Sequence, residues 1–379
     1  MSNNELFSEF PAISKAEWLK QISKDLKDKP LSDLEWTIDD ALRVSPFVHA
    51  DDFEIAPPPL WADAKSWEIC EYIQIEDAVA ANAETLEALN GGAEGIQFDF
   101  DQSPDWAFWS QLVSGIHLDY IGLHFSGKGV TQNPSTIISH LLRLATAQNI
   151  DSKILRGTLA YDPVQAGGIV VDWRYLVDLL AFTQESLPLF KVITIDFSSH
   201  ENPSIALAET LNVANEYLRK LTERGISLEQ AVGALQFSVP VGKSYFLEIA
   251  KIRAFKLLWV NFLNSWNAPL SYPTVAAHFR VDAYTDDLYT NMIRATTMAM
   301  SAVMGGADRL TVLPYDAGRA AKATYPAAFG RRIARNVQHL MKLESTLDEV
   351  ADPAAGSYYI ETLSKTLAEK AWLLLADLN

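Results

Sequence analysis

Between residues 68 and 343 two hydrophobic rhythms alternate along the chain. Short runs rich in β-branched and aromatic residues predict strands at 68–74, 94–100, 118–125, 154–161, 191–197, 235–239, 274–281 and 308–313. Each is followed by apolar positions at helical spacing, predicting helices at about 77–90, 107–115, 135–147, 173–185, 204–223, 243–265, 286–304 and 329–343. Strands that alternate with helices imply parallel crossovers. Eight such units fit a (β/α)8 TIM barrel of the α/β class, whose usual size is about 250 residues. A doubly wound sheet is the alternative. It would carry a Gly-rich phosphate turn after its first strand, where this chain reads Gln74-Ile75-Glu76-Asp77.

Outside the repeat lie two further segments. Residues 1–60 read as an arm and linker. Ser14 and Glu17 form a capping-box pair, and Trp18, Leu19, Ile22 and Leu26 make one apolar stripe of a helix. Pro57-Pro58-Pro59 is a stiff boundary. The barrel is expected over 61–345, and 346–379 as a turn and a last amphipathic helix at 361–377. The run Asp352 to Glu361 reads as a Pro/Gly-rich turn entering a strand-like pair of tyrosines, Tyr358 and Tyr359. The helix runs to Asn379 with no cap residue.

Composition narrows the functions. A net charge of −17 argues against nucleic acid, whose phosphates are gripped by Lys and Arg. It also works against a highly anionic ligand unless a local basic pocket overcomes the global field. A single cysteine, Cys70, excludes an internal disulfide framework. No basic region precedes an apolar core at the N-terminus, and no apolar run approaches the roughly 18 residues of a membrane span. The cytoplasm is the expected compartment.

Candidate chemistry belongs at the C-terminal strand ends and the loops after them. That rim holds Tyr72, Gln74, Asp99, Asp101 and His124 in its first half. Tyr161, Asp162, Asp196, Ser198, Ser199, His200, Glu201 and Lys243 follow, then Arg280, Asp282, Tyr284, Tyr315, Asp316 and Arg319. A set of acids and bases fits acid–base catalysis and fits an ordinary wet barrel mouth equally. His200 and Glu201 are adjacent and point opposite ways on extended chain. His117 and His124 read as buried strand histidines. No HxH, HExxH or CxxC spacing points to a metal, and no GxSxG elbow to a serine nucleophile. Arg331, Arg332 and Arg335 crowd one helical turn. They suit an anion grip or, more commonly, structural ion pairs.

Three phrases resemble a known family. They are Gly305-Gly306-Ala307-Asp308 with Thr311 and Asp316, Arg332-Ile333-Ala334-Arg335-Asn336 with Gln338, and Asp352-Pro353 leading to Gly356-Ser357-Tyr358-Tyr359 and Glu361. In this order they resemble the end of the substrate barrel of methylmalonyl-CoA mutases. Phe10 to Ser14, Trp18 and Leu34 to Thr37 resemble the start of the small (β) chain of two-chain bacterial mutases. Phe246 to Ala254 and Asn291 to Arg294 continue the likeness. The resemblance implies a heterodimer of related barrels, with adenosylcobalamin and the acyl-CoA bound by the large subunit. The implied reaction is a radical rearrangement of methylmalonyl-CoA to succinyl-CoA.

The site phrases of active chains are changed here. A Trp-Thr-Ile-Arg-Gln-Tyr run reads Trp67-Glu68-Ile69-Cys70-Glu71-Tyr72, keeping the tyrosine and losing the arginine. Gly-Thr-Ile-Gln-Asn-Asp reads Gly157-Thr158-Leu159-Ala160-Tyr161-Asp162. The cobalamin-facing histidine of the family corresponds to Ser199, and a Gln-Thr-Ser-Gly-Trp run to Arg280-Val281-Asp282-Ala283-Tyr284. An Asp-x-His-x-x-Gly cobalamin motif does not occur in these residues. The resemblance with these losses implies a non-catalytic small subunit that holds no cofactor itself and pairs with a catalytic large subunit. Tyr72 is then a remnant, and Glu71, Ser199, Arg280 and Tyr284 are the barrel-mouth candidates. The alternative is a diverged acyl-CoA mutase or isomerase working through Glu71, Tyr72, Arg280 and Asp282.

Overall fold

The computed structural model describes residues 11–27, 29–39, 42–55, 57–166, 170–197 and 200–378. The arm comes first: α1 (Lys15–Asp25), then a small antiparallel pair, β1 (Trp36–Asp39) and β2 (Leu42–Val44). Ser14 caps α1 through the expected capping box with Glu17. No residue of α1 is fully buried. Its stripe leans on the arm itself, with Trp18 set edge-on to Phe47 at 5.5 Å. Phe53 then meets Tyr358 of the last helix at 5.5 Å.

The barrel follows as β3 (Glu68–Ile75), α2 (Ala78–Asn90), β4 (Gly95–Phe100), α3 (Trp106–Leu112), β5 (Gly122–Ser126), α4 (Lys128–Gln132) and α5 (Pro134–Gln148). Next come β6 (Arg156–Tyr161), α6 (Trp173–Ser186), β7 (Leu189–Asp196), α7 (Pro203–Thr222), α8 (Leu228–Gly233), β8 (Leu235–Val241) and α9 (Tyr245–Ser265). It ends with β9 (Val275–Phe279), α10 (Leu288–Met304), β10 (Arg309–Thr311), α11 (Ala327–His339) and α12 (Tyr358–Leu378). Strands β3 to β10 pair in parallel, and β10 closes on β3 to complete an eight-stranded barrel. The TIM-barrel expectation therefore holds. No helix among the described residues is long and apolar enough to cross a membrane.

Three expectations change in detail. Residues 118–121 form a turn before β5, and His117 stacks there on Tyr120 rather than lying on a strand. Tyr358 and Tyr359 open α12 instead of a strand. The chain turns through positive φ at Asp352 and Gly356, and the Glu361 N–H then bonds the Ser357 carbonyl as a first helical turn. Finally, α12 lies in the helical layer against α7 and α9, burying Leu363, Leu367, Ala371 and Leu375 in the main core.

Large apolar side chains between strands and helices supply the bulk of the stability, about 1.5–3 kcal/mol for each one fully buried. Phe98, Phe100, Trp109 and Phe125 form one such cluster, with ring centroids 5.3–6.4 Å apart. Polar locks then fix the seam. Arg335 of α11 bonds Glu71 of β3 at 2.5 Å and Glu87 of α2 at 3.2 Å. Arg331 reaches Glu84 at 3.2 Å and Glu87 at 2.8 Å. Trp67 donates to Gln338 at 3.2 Å, and Lys342 to Glu94 at 2.7 Å. The last barrel helix is thus tied to the first βα unit, where a closed sheet has its only join in sequence. Arg331 and Arg335 are structural ion pairs, and Arg332 lies over the Phe329 ring.

A second lock explains the Asp352–Glu361 phrase. Arg253 of α9 has 0% exposure and bonds both Asp352 and Glu361, the latter at 2.7 Å. The other Asp352 oxygen accepts from the Leu60 N–H at 2.7 Å, so the linker, α9 and α12 meet at one buried charge cluster.

Candidate functional site

Side chains on a strand alternate between faces, so β3 sends Glu68, Cys70 and Tyr72 inward and Ile69, Glu71 and Ile73 outward. The inward residues of all eight strands enclose a cavity of about 390 Å³. Tyr72, Asp99, Asp196 and Val281 stand toward its mouth, and His124, Thr158 and Arg309 toward its floor.

The floor is a relay of polar groups. Arg309 starts β10 and reaches across the barrel to β5 and β6. There its Nη1 donates to Thr158 Oγ1 at 3.1 Å and contacts His124 Nδ1. A guanidinium can only donate, so His124 Nδ1 accepts and its Nε2 carries the proton. That proton faces Glu68 Oε1 at 2.6 Å. Burial and then the Arg309 charge push His124 down to about 4, so the ring is neutral at physiological pH. Burial raises Glu68, but His124 and Arg309 outweigh it and hold the carboxylate below its ordinary range. Gly95 and Gly122 leave the space this carboxylate fills, since a Cβ at either position would strike its oxygens.

Glu68, Cys70 and His124 bring donor atoms within 4.8 Å of one another. Their chemistry disfavours a metal ion. Burial pushes the Cys70 thiol up to about 12, and the Arg309 cation sits on the same imidazole.

The walls are hydrogen-bonded rather than open. Gln97 donates to Ser126 at 3.1 Å, and Ser126 to Asp99 at 2.7 Å. Gln236 donates to Thr194 at 2.8 Å, and Thr194 to the Leu159 carbonyl at 2.7 Å. Above them burial, then Asp99 and Asp101, push the Tyr72 phenol up to about 12. Asp162 bonds Tyr217 at 2.6 Å, and burial pushes its carboxyl up to about 6.

Of the candidate residues, Tyr72 is in the cavity and 38% exposed. Glu71 is not: strand parity turns it outward onto Arg335, so its negative charge belongs to the seam. Arg280 pairs with Asp282 of its own loop and does not line the cavity. Tyr284 is buried, and its hydroxyl donates to the Leu313 carbonyl at 2.9 Å. Ser198 and Ser199 lie outside the described residues. His124 belongs to the floor rather than the rim, and His200 pairs with Glu209 at 3.4 Å. Sequence reasoning missed Arg309 and His278. Their signal was inward parity: both share a face with Thr311 around the β9–β10 register.

The sequence model described as methylmalonyl-CoA mutase matches residues 106–379. The chain belongs to the methylmalonyl-CoA mutase family. The methylmalonyl-CoA mutase small subunit of Porphyromonas gingivalis is 30% identical over 99% of this chain and 64% of that protein. The small subunit of Streptomyces virginiae is 28% identical over 97% of this chain and 64% of that protein. The methylmalonyl-CoA mutase of Cereibacter sphaeroides is 28% identical over 96% and 58%. The chain thus spans less than two thirds of these relatives. The phrases that resemble the family include Arg335 and Gln338 of the seam and Asp352 and Glu361 of the Arg253 lock. Cys70 and Ala160 stand inside the barrel.

Proposed function

We propose that this chain is the non-catalytic small subunit of an adenosylcobalamin-dependent methylmalonyl-CoA mutase, working in the cytoplasm beside a catalytic large subunit. The observation that carries this reading is the charge layout of the barrel. Carboxylates Asp99 and Asp196 line its mouth, and a buried relay from Arg309 through His124 to Glu68 crosses its floor. A coenzyme A thioester is polyanionic and is repelled by an acidic mouth.

The described residues do not fit adenosylcobalamin either. His124 and His278 stand inside the barrel, and His200 is held by Glu209 at the rim. No imidazole of the described mouth is placed for a cobalt ion. The cofactor, and the rearrangement from methylmalonyl-CoA to succinyl-CoA, are assigned to the partner. This barrel contributes a rigid body whose seam and Arg253 lock persist where site residues have changed.

The test is co-expression with the catalytic large subunit of the same organism, followed by size exclusion. One peak holding both chains in equal amounts supports the pairing, and separate elution sinks it. A second reading, a diverged mutase or isomerase, rests on Tyr72 keeping its place in the cavity. Turnover by the isolated chain, abolished by Tyr72→Phe, would favour it.

A further inference from the structure

From the floor and walls of the cavity, we infer that the barrel interior binds a small zwitterionic carboxylate, its acid end on Arg309 and its cationic end toward Asp99 and Asp196. Arg309 is 9% exposed and lines the cavity. Among the described residues no carboxylate comes within 4.0 Å of its guanidinium. Its Nη1 is taken by Thr158 and His124, while Nε and Nη2 make no hydrogen bond to described residues. Glu68 touches only the far side of the His124 ring. Glu68 balances the charge through the imidazole, but two nitrogens of the fork are left without an acceptor, and a planar guanidinium matches a carboxylate.

The wall beside it is also incomplete. His278 lines the cavity and has no hydrogen-bond partner among the described residues, although burial keeps it neutral. It offers one donor and one acceptor to a ligand. At the other end the charge reverses, with Asp99 and Asp196 at the tops of β4 and β7.

Geometry sets the length of the ligand. Gln97, His124 and Thr158 share one register level, and Asp99 stands two residues above. With about 3.3 Å rise per residue and strands tilted by about 36°, Asp99 stands about 5–7 Å above the level at which Arg309 meets His124 and Thr158. That separation matches the charged groups of an ω-amino acid with four or five carbons.

Calorimetry on the full-length protein, in the complex it forms, tests this with 4-aminobutyrate, 5-aminopentanoate, glycine, pentanoate, pentylamine and inorganic phosphate. One of the two longer amino acids should bind at least about 10-fold more tightly than glycine, and pentylamine should not bind. Arg309→Met should abolish binding, and Asp99→Asn should erase the advantage of 5-aminopentanoate over pentanoate. Absence of binding by either longer amino acid at about 10 mM, unchanged binding in Arg309→Met, or equal binding of phosphate would overturn the assignment. Should Arg309→Met fail to fold, the comparison of 4-aminobutyrate and 5-aminopentanoate with pentylamine on the unmodified protein still decides it.

Discussion

Replacing Arg253 by Met leaves Asp352 and Glu361 facing each other with no cation between them. All three groups are buried: Arg253 is 0% exposed, Asp352 2% and Glu361 7%. Removing one partner of such a cluster costs about 3–5 kcal/mol, because a charge is left buried and uncompensated. Unfolding entropy is about 2.1 cal/mol/K per residue, or about 0.8 kcal/mol/K for this chain. The melting temperature should therefore fall by about 4–6 °C. Calorimetric or circular-dichroism melts at pH 7 measure it. The combined variant Arg253→Met, Asp352→Asn, Glu361→Gln should recover more than half of the loss, since its charges are gone together. A drop below about 1 °C for Arg253→Met, or a combined variant worse than the single one, would refute the view that the Asp352–Glu361 phrase is a charge lock.

Three further expectations can be checked by unfolding or labelling. Asp162 has a carboxyl raised to about 6 by burial, and its Oδ2 is buried without a partner. The native chain then holds a proton that the unfolded chain releases, so stability falls between about pH 4 and pH 6. Asp162→Asn keeps the acceptor for Tyr217 and should gain up to about 3 kcal/mol on wild type from pH 4 to pH 7; a pH-independent difference in urea unfolding contradicts this. Burial raises Glu71 even beside Arg335. Arg335→Met should therefore cost about 3 kcal/mol at pH 8 and progressively less as the pH is lowered, because burial favours the protonated form of a Glu71 left without its cation; a cost independent of pH would count against the seam lock. Cys70, raised to about 12 by burial, should resist a thiol reagent at pH 8 in the folded chain and react fully in denaturant, and rapid native labelling would show the barrel floor to be open.

The barrel was legible because its signal repeats. Eight alternations of period-2 and period-3.6 pattern leave little room for another topology, and strand ends shifted by only a few residues. Side-chain direction was harder to read. Tyr72 and Glu71 are neighbours on β3, and parity allows only one of them to face inward. Arg280 and Tyr284 sit in the loop after β9, where a short helical turn folds their side chains onto Asp282 and the Leu313 carbonyl. Arg309 hid within a phrase that marks the family. Its length let it cross the barrel, and no local pattern announces a contact between β5, β6 and β10. The arginines of α11 paired with acids some 250 positions earlier, a partnership that only closure of the barrel brings together.

The most direct test of a non-catalytic role is turnover of methylmalonyl-CoA by the isolated chain supplied with adenosylcobalamin. No succinyl-CoA should form from this chain alone. Adding the catalytic large subunit should start turnover, at a rate unaffected by Tyr72→Phe in this chain. Succinyl-CoA formed by the isolated chain, and lost in Tyr72→Phe, would contradict the assignment and make this barrel a catalyst.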